Sequence, residues 1–308
     1  MKNNKSSRLQ NIPKLKSTRL GLALALSVGF SALAQASASF TFTDTEKTNT
    51  PVKVVFVNDL NKLSGMANTI NSESNGQLSQ LLALHSFDAK KGSVAHLNMV
   101  AGIQSLLVVG SYDEDGLSVP ELQDLGGTIA ASLSSTSKDV DLTIFGDSLS
   151  TESTDNPSAH LAYGYHMRHY SFDKYKTKKD DGNSKVTLVS KQASQAQEKY
   201  NNDLRYLAEG IHMARDFATE PGKSMYPQAF VEVVEAKFKG LKNVKVRVLD
   251  VDDMEKYNMG ALMGVGKGSI NDPRLIIVEY MGGNKGDAPI ALAGKGITFD
   301  TGGISIKS

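Results

Sequence analysis

Two runs, 105–109 (SLLVV) and 141–145 (DLTIF), stay largely apolar through consecutive positions instead of alternating, and this limits the fold more than any other feature. A strand with water on one face alternates, whereas a strand apolar throughout is covered on both faces, as in the parallel sheet of an α/β protein. Parallel neighbours need long crossovers, usually helices. The sequence supplies both kinds of element. Residues 51–57 (PVKVVFV), ending at Asn58-Asp59, predict a first strand and turn, and 94–100 a weakly alternating strand. Residues 76–85 carry Leu78, Leu81 and Leu82 on one helical face. Ser118 with Glu121 three residues on, and Pro120 between them, predicts a capped helix running through 131. A further helix is expected over 157–172 and a closing strand over 186–189.

The pattern then changes scale. Residues 176–185 (KTKKDDGNSK) mix both charge signs and read as a solvated turn. A long amphipathic helix is predicted over 194–217, with Leu204, Leu207, Ile211 and Ala214 on one side and a stop at Glu220-Pro221-Gly222. Beyond it come a helix over 227–238, a strand over 244–249, and a short helix begun by Asp252 with Glu255 at capping distance. Strands are expected over 274–280 and 289–293, separated by a Gly-rich loop. A length of 308 residues suits two domains of about 100 to 200 residues each. They are placed at 39–190 and 191–308, both α/β.

The first 38 residues hold six of the 34 cations and no Asp or Glu. An apolar run follows the basic stretch, 20–33, and then small residues, 34–38. This three-part order reads as a cleaved secretory signal, 1–38, cut near Ala36 or Ala38, with a periplasmic or secreted destination. The run is too short and too rich in small residues for a membrane anchor. The other 28 cations face 33 acids, so no global charge draws the chain to nucleic acid or a membrane surface. With no cysteine, disulfides, thiol nucleophiles and Cys-ligated zinc are excluded.

Chemistry concentrates at 293–308 (AGKGITFDTGGISIKS). The strand expected over 289–293 would deliver Lys295 at its C-terminal end, where open α/β sheets place ligands. Asp300 follows five residues on, and Gly302-Gly303 allow a tight turn before Lys307. Elsewhere 264–269 (GVGKGS) fails the phosphate-loop pattern, since Gly268 follows Lys267. His166 and His169 stand one helical turn apart without the Glu of an HExxH site and read as surface or core histidines. No Ser-centred GxSxG occurs.

The string GKGITFDTGGISIK resembles the signature of the leucine aminopeptidase, or cytosol aminopeptidase, family of dinuclear-metal exopeptidases. Matching blocks precede it in order: Ala214-Arg215-Asp216, Glu220-Pro221-Gly222, Tyr226-Pro227, then 259–262, 264–269 and 273–275. Tyr170-Ser171-Phe172-Asp173-Lys174-Tyr175 is similar to part of the family's N-terminal domain. The resemblance implies a macro-like N-terminal α/β domain and a C-terminal α/β catalytic domain with a mixed sheet, incomplete here. It implies Lys295 and Asp300 as ligands to two divalent ions, Zn²⁺ or Mn²⁺, with Asp300 shared, and Lys307 as the catalytic lysine. It also implies peptide substrates cut at their first residue, and a homohexamer. A lysine ligates only as the neutral amine, a state that burial and a neighbouring cation favour. Two such ions activate a water and polarise the peptide carbonyl, while an ammonium at Lys307 would stabilise the oxyanion.

The family pattern continues with an Asp and an Asp-x-Glu-x-Arg block that do not occur downstream of Asp300 in these 308 residues. Asp44-Thr45-Glu46 has part of the spacing but lacks the Arg. Two protein ligands do not fill two metal shells. The sequence is therefore expected to be an N-terminal fragment, inactive alone. A competing class is a macro-domain-like module binding nucleotide or nucleic acid, which rests on fold analogy.

Overall fold

The apolar runs fold into the middle of one sheet built from β1 (Ser37–Thr43), β2 (Val52–Val57), β3 (Val94–Val100), β4 (Ile103–Gly110), β5 (Leu142–Phe145) and β6 (Asn183–Val189). The computed structural model describes residues 37–46, 49–134, 140–149, 151, 156–177, 183–284 and 286–298. The strand order is β1-β6-β5-β2-β4-β3, with parallel neighbours except at the β3–β4 hairpin. That hairpin turns through Ala101 and Gly102, both at positive φ, the twist a tight hairpin turn needs.

Period two explains why these strands are apolar throughout. On β2, Val54 and Phe56 enter one core while Val55 and Val57 enter the other; on β4, Leu107 and Val109 part from Leu106 and Val108 in the same way. Helices α1 (Gly65–Glu73) and α2 (Gln77–Leu84) cover one face through Ile70, Leu78 and Leu82. Helices α3 (Val119–Ser134) and α4 (Pro157–His169) cover the other, with Leu122, Leu125, Ile129 and Leu161 in the core. One half of the expected capping box of α3 is formed, the Ser118 backbone N donating to Glu121 Oε2 at 2.9 Å, while the Ser118 hydroxyl donates to the same carboxylate oxygen at 2.6 Å.

Several expectations shift. β1 was not predicted, and β6 starts at Asn183, inside the stretch read as a turn; 178–182 lie outside the described residues. α4 stops at His169, because Tyr170 leaves in an extended conformation. The long helix is α5 (Ala193–Lys199), a π-turn over Tyr200–Leu204, and α6 (Arg205–Thr219). Its buried stripe is Ala196, Tyr200, Leu204 and Ala208, while Leu207 is 50% exposed. A π-turn closes its hydrogen bond one residue later than an α-turn, which fits a stripe stepping by four.

The rest is smaller. α7 (Pro227–Phe238) precedes β7 (Val244–Leu249), α8 (Val251–Lys256), α9 (Gly260–Gly266) and β8 (Leu275–Tyr280), and β7 pairs antiparallel with β8. The cap of α8 is Asp250, not Asp252; its carboxylate accepts from Asp253 N at 2.9 Å. Residues 289–293 are not a strand. Ile290 and Leu292 are 92% and 95% exposed. An apolar run becomes a strand only against a partner, and among the described residues β8 pairs only with β7. Among the described residues no helix is long and apolar enough to cross a membrane.

Candidate functional site

Lys295 follows β8 and the Gly-rich loop, on an exposed segment without regular structure. Asp300 and Lys307 lie outside the described residues. Among the described residues no group of three or more His, Asp or Glu side chains could hold a metal ion. One exposed amine is not a coordination shell, so the described residues do not by themselves fit a metal pair.

The other blocks that carry the resemblance do meet. Tyr170, just past α4, donates its hydroxyl to Asp216 Oδ1 at 2.7 Å. Burial, with Asp216 alongside, pushes its phenol above the usual range. Arg215 donates to the carbonyl of Met167 at 2.8 Å and stands over the Tyr170 ring. Four residues beyond Asp216, Glu220 accepts from Lys174 Nζ and the Tyr175 hydroxyl, both at 2.5 Å. Burial alone would lower the Lys174 amine, but the hydrogen bond and charge of Glu220 carry it above its ordinary value. The segment 170–175 is thus fastened to the end of α6 and the stop after it. Spacing could not reveal this pairing across 46 positions; the shared block pattern was the available signal. With its Glu220 side chain only 5% exposed, Glu220→Ala would leave Lys174 without its carboxylate. A loss of about 2 kcal/mol is expected in urea unfolding.

The GVGKGS stretch forms the end of α9 rather than the start of a helix, with Lys267 at its C-cap. Phosphate is held at helix N-termini, so this loop has the wrong polarity for a cradle. Gly266 instead lies against Pro273; a Cβ there would come within 2.8 Å of the ring. His160 is buried beside Gln123, 3.4 Å from Nδ1, and burial lowers its pKa. His166 lies among aromatic rings, with the Tyr200 hydroxyl 3.0 Å from its Nδ1. Burial, then His212, His169 and Arg205, press its pKa down to about 4.

The described chain is therefore an α/β protein with a mostly parallel sheet of six strands and a second, two-stranded sheet. Residues 54–179 match the family model described as the cytosol aminopeptidase family, N-terminal domain, and 212–308 match the catalytic domain of the same family. The chain belongs to the cytosol aminopeptidase family. A relative from Nitrobacter hamburgensis named "Probable cytosol aminopeptidase" is 34% identical over 262 residues, 83% of this chain and 51% of that protein. One of the same name from Bradyrhizobium is 38% identical over 226 residues, 72% and 44% of the two chains. The chain spans about half the length of the curated relatives it matches. Its fold is similar to that of a tomato leucine aminopeptidase mutant (TM-score 0.62, 19% identity, 78% of this chain and 50% of that one). It is also similar to bottromycin maturation enzyme BotP in complex with Mn (TM-score 0.59, 15% identity, 74% and 45%).

These relatives correct one expectation. The reading of 1–38 as an export signal, with a periplasmic or secreted destination, is overturned by relatives named for the cytosol. In addition, Ala38 pairs with Ser184 within β1, so a cut after it would fall inside a sheet strand. Residues 1–36, with the apolar run 20–33, lie outside the described residues. No finding favours the nucleotide- or nucleic-acid-binding alternative.

Proposed function

We propose that this chain is part of a metal-dependent aminopeptidase that hydrolyses the first, leucine-type residue from peptides. The N-terminal domain occupies 39–190, and 191–308 are the bridging helix and the first part of the catalytic domain. Lys295 and Asp300 would be among the residues that hold divalent ions, Zn²⁺ or Mn²⁺, which would supply an activated water, and Lys307 would be the catalytic lysine, its ammonium countering negative charge on the carbonyl oxygen. The assembly is a homohexamer. The observation that carries this reading is the pair of family models, N-terminal then catalytic, matched in order along one chain. Contacts of 170–175 with Asp216 and Glu220 support it, since they join blocks drawn from both matched regions.

Ligand number sets the expected behaviour. One amine and one carboxylate leave most positions around two divalent ions to other donors. Incubated with Zn²⁺ or Mn²⁺, the 308-residue chain is expected to release no chromophore from leucine p-nitroanilide above the blank. A form extended by the family's downstream Asp and Asp-x-Glu-x-Arg blocks is expected to turn it over. Robust turnover by the 308-residue chain, or silence of the extended form with either ion, would overturn this reading.

A further inference from the structure

Four elements meet at three imidazoles. Helix α4 contributes His166 and His169, and α6 contributes His212, whose ring stands edge-on to His166 at 4.9 Å between centroids. The Tyr170 ring lies 4.9 Å from His212 on the chain leaving α4. The π-turn supplies Tyr200 to His166, and β1 supplies Phe40 at 5.8 Å from the same ring. His169 stacks on Tyr165 at 5.7 Å. The Nε2 of His212 is buried and has no hydrogen-bond partner among the described residues.

We propose that His166 and His212 form an acid-operated latch between α4 and α6: uncharged rings hold the two helices together, and protonated rings drive them apart. The packing around the rings is aromatic, and neutral imidazole suits it. Charged, the two imidazoliums would share a partly dry space, beside His169, with cations already there. From α6 these are Arg205, with Glu209 4.0 Å from its Nε, and Arg215. From α4 the neighbouring cation is Arg168, which lies between His166 and His169 in sequence on the same turn. The carboxylate beside His212 is Asp216, which already accepts from Tyr170. Lys199 and Asp203, on α5 and the π-turn, act on His160 instead. Two phenols, Tyr170 and Tyr200, face the rings and are held protonated by burial.

The direction with pH follows from the same surroundings. Burial first, then the neighbouring cationic groups, hold His166 at about 4; burial and Arg215 lower His212 against the pull of Asp216. A free imidazole takes its proton near about 6.5, so the opened state binds more protons between that value and about 4. The latch is closed above this window and weakens as pH falls through it. At about pH 5, His166 alone favours the open form by about thirtyfold.

Hydrogen exchange on the 308-residue chain, corrected for intrinsic rates, reads the latch without any peptidase assay. Between about pH 7.5 and about pH 5, opening of peptides covering Arg205–Thr219 is expected to rise about thirtyfold, while those from Ile103–Gly110 stay unchanged. The paired substitution His166→Gln and His212→Gln is expected to hold that rise to about threefold or less. Should that pair fail to fold, His166→Phe, which retains an aromatic ring against Phe40 and Tyr200, is expected to remove most of it. No rise, an equal rise in both sets of peptides, or a full rise in the folded variants would overturn the latch.

Discussion

Gly164→Ala is expected to destabilise the chain by about 3 kcal/mol, whereas Gly127→Ala, one turn away on the partner helix, should be neutral or stabilising by up to about 1 kcal/mol. A Cβ on Gly164 would sit 1.8 Å from the carbonyl oxygen of Gln123 and 2.6 Å from its carbon. Reciprocally, a Cβ on Gly126 would come within 2.1 Å of the carbonyl oxygen of Leu161. Both obstacles are helix backbone, so relief requires α3 and α4 to separate as bodies. Separation would open the packing of Leu122, Leu125 and Ile129 against Leu161 and Tyr165, which the tight crossing allows. At Gly127 the nearest atoms are 3.8 Å and 3.9 Å away, ordinary contact distance, so the gain in helix propensity acts alone. Thermal and urea unfolding of the two single variants gives the comparison. Equal stabilities would show that the two helices are not in backbone contact.

That crossing marks the boundary of what the sequence makes legible. Helix α7 and strand β7 are read to the residue, because Pro227 at the helix start and a run of alternating Val residues are local signals. Strands β2, β4 and β5 are legible to within two residues at each end, because their apolar runs carry the reason for their burial within themselves. Nothing local joins Gly126 to Leu161. Strand β1 shows Phe40 and Phe42 alternating with Ser and Thr, yet it adjoins small residues that read more readily as a cleavage site. Its identity depends on β6, well over 100 residues away. Helix α1 buries only Ala67 and Ile70, too few apolar positions to set a period. The 289–293 run failed in the opposite sense: its pattern is that of a strand, but a pattern does not supply the ladder. At the candidate site the residue types are readable, because an amine and a carboxylate among glycines form a distinctive string. Their geometry is not, since a coordination shell is assembled from distant segments.

Lys295→Arg is expected to be as damaging as Lys295→Ala, each lowering kcat/KM by about a thousandfold in a form carrying the downstream carboxylate blocks. The comparison separates two roles that the string GKGITFD leaves open to a lysine. If Lys295 acts as a cation toward an anionic group, guanidinium retains the charge, and Arg should restore activity to within about tenfold. If it donates a lone pair to an ion, Arg cannot follow, because its guanidinium stays protonated and has no acceptor. Asp300→Asn tests the neighbouring donor in the same way, keeping an oxygen while removing the negative charge that holds two cations close together. Metal content of each purified variant supplies the second readout. The ligand reading expects fewer bound ions in Lys295→Arg and Asp300→Asn at an unchanged unfolding midpoint of the metal-free forms, since bound ions themselves raise the midpoint; a purely structural role would lower the metal-free midpoint together with the rate. An active Lys295→Arg variant retaining its full complement of ions would place the coordinating donors elsewhere in the chain.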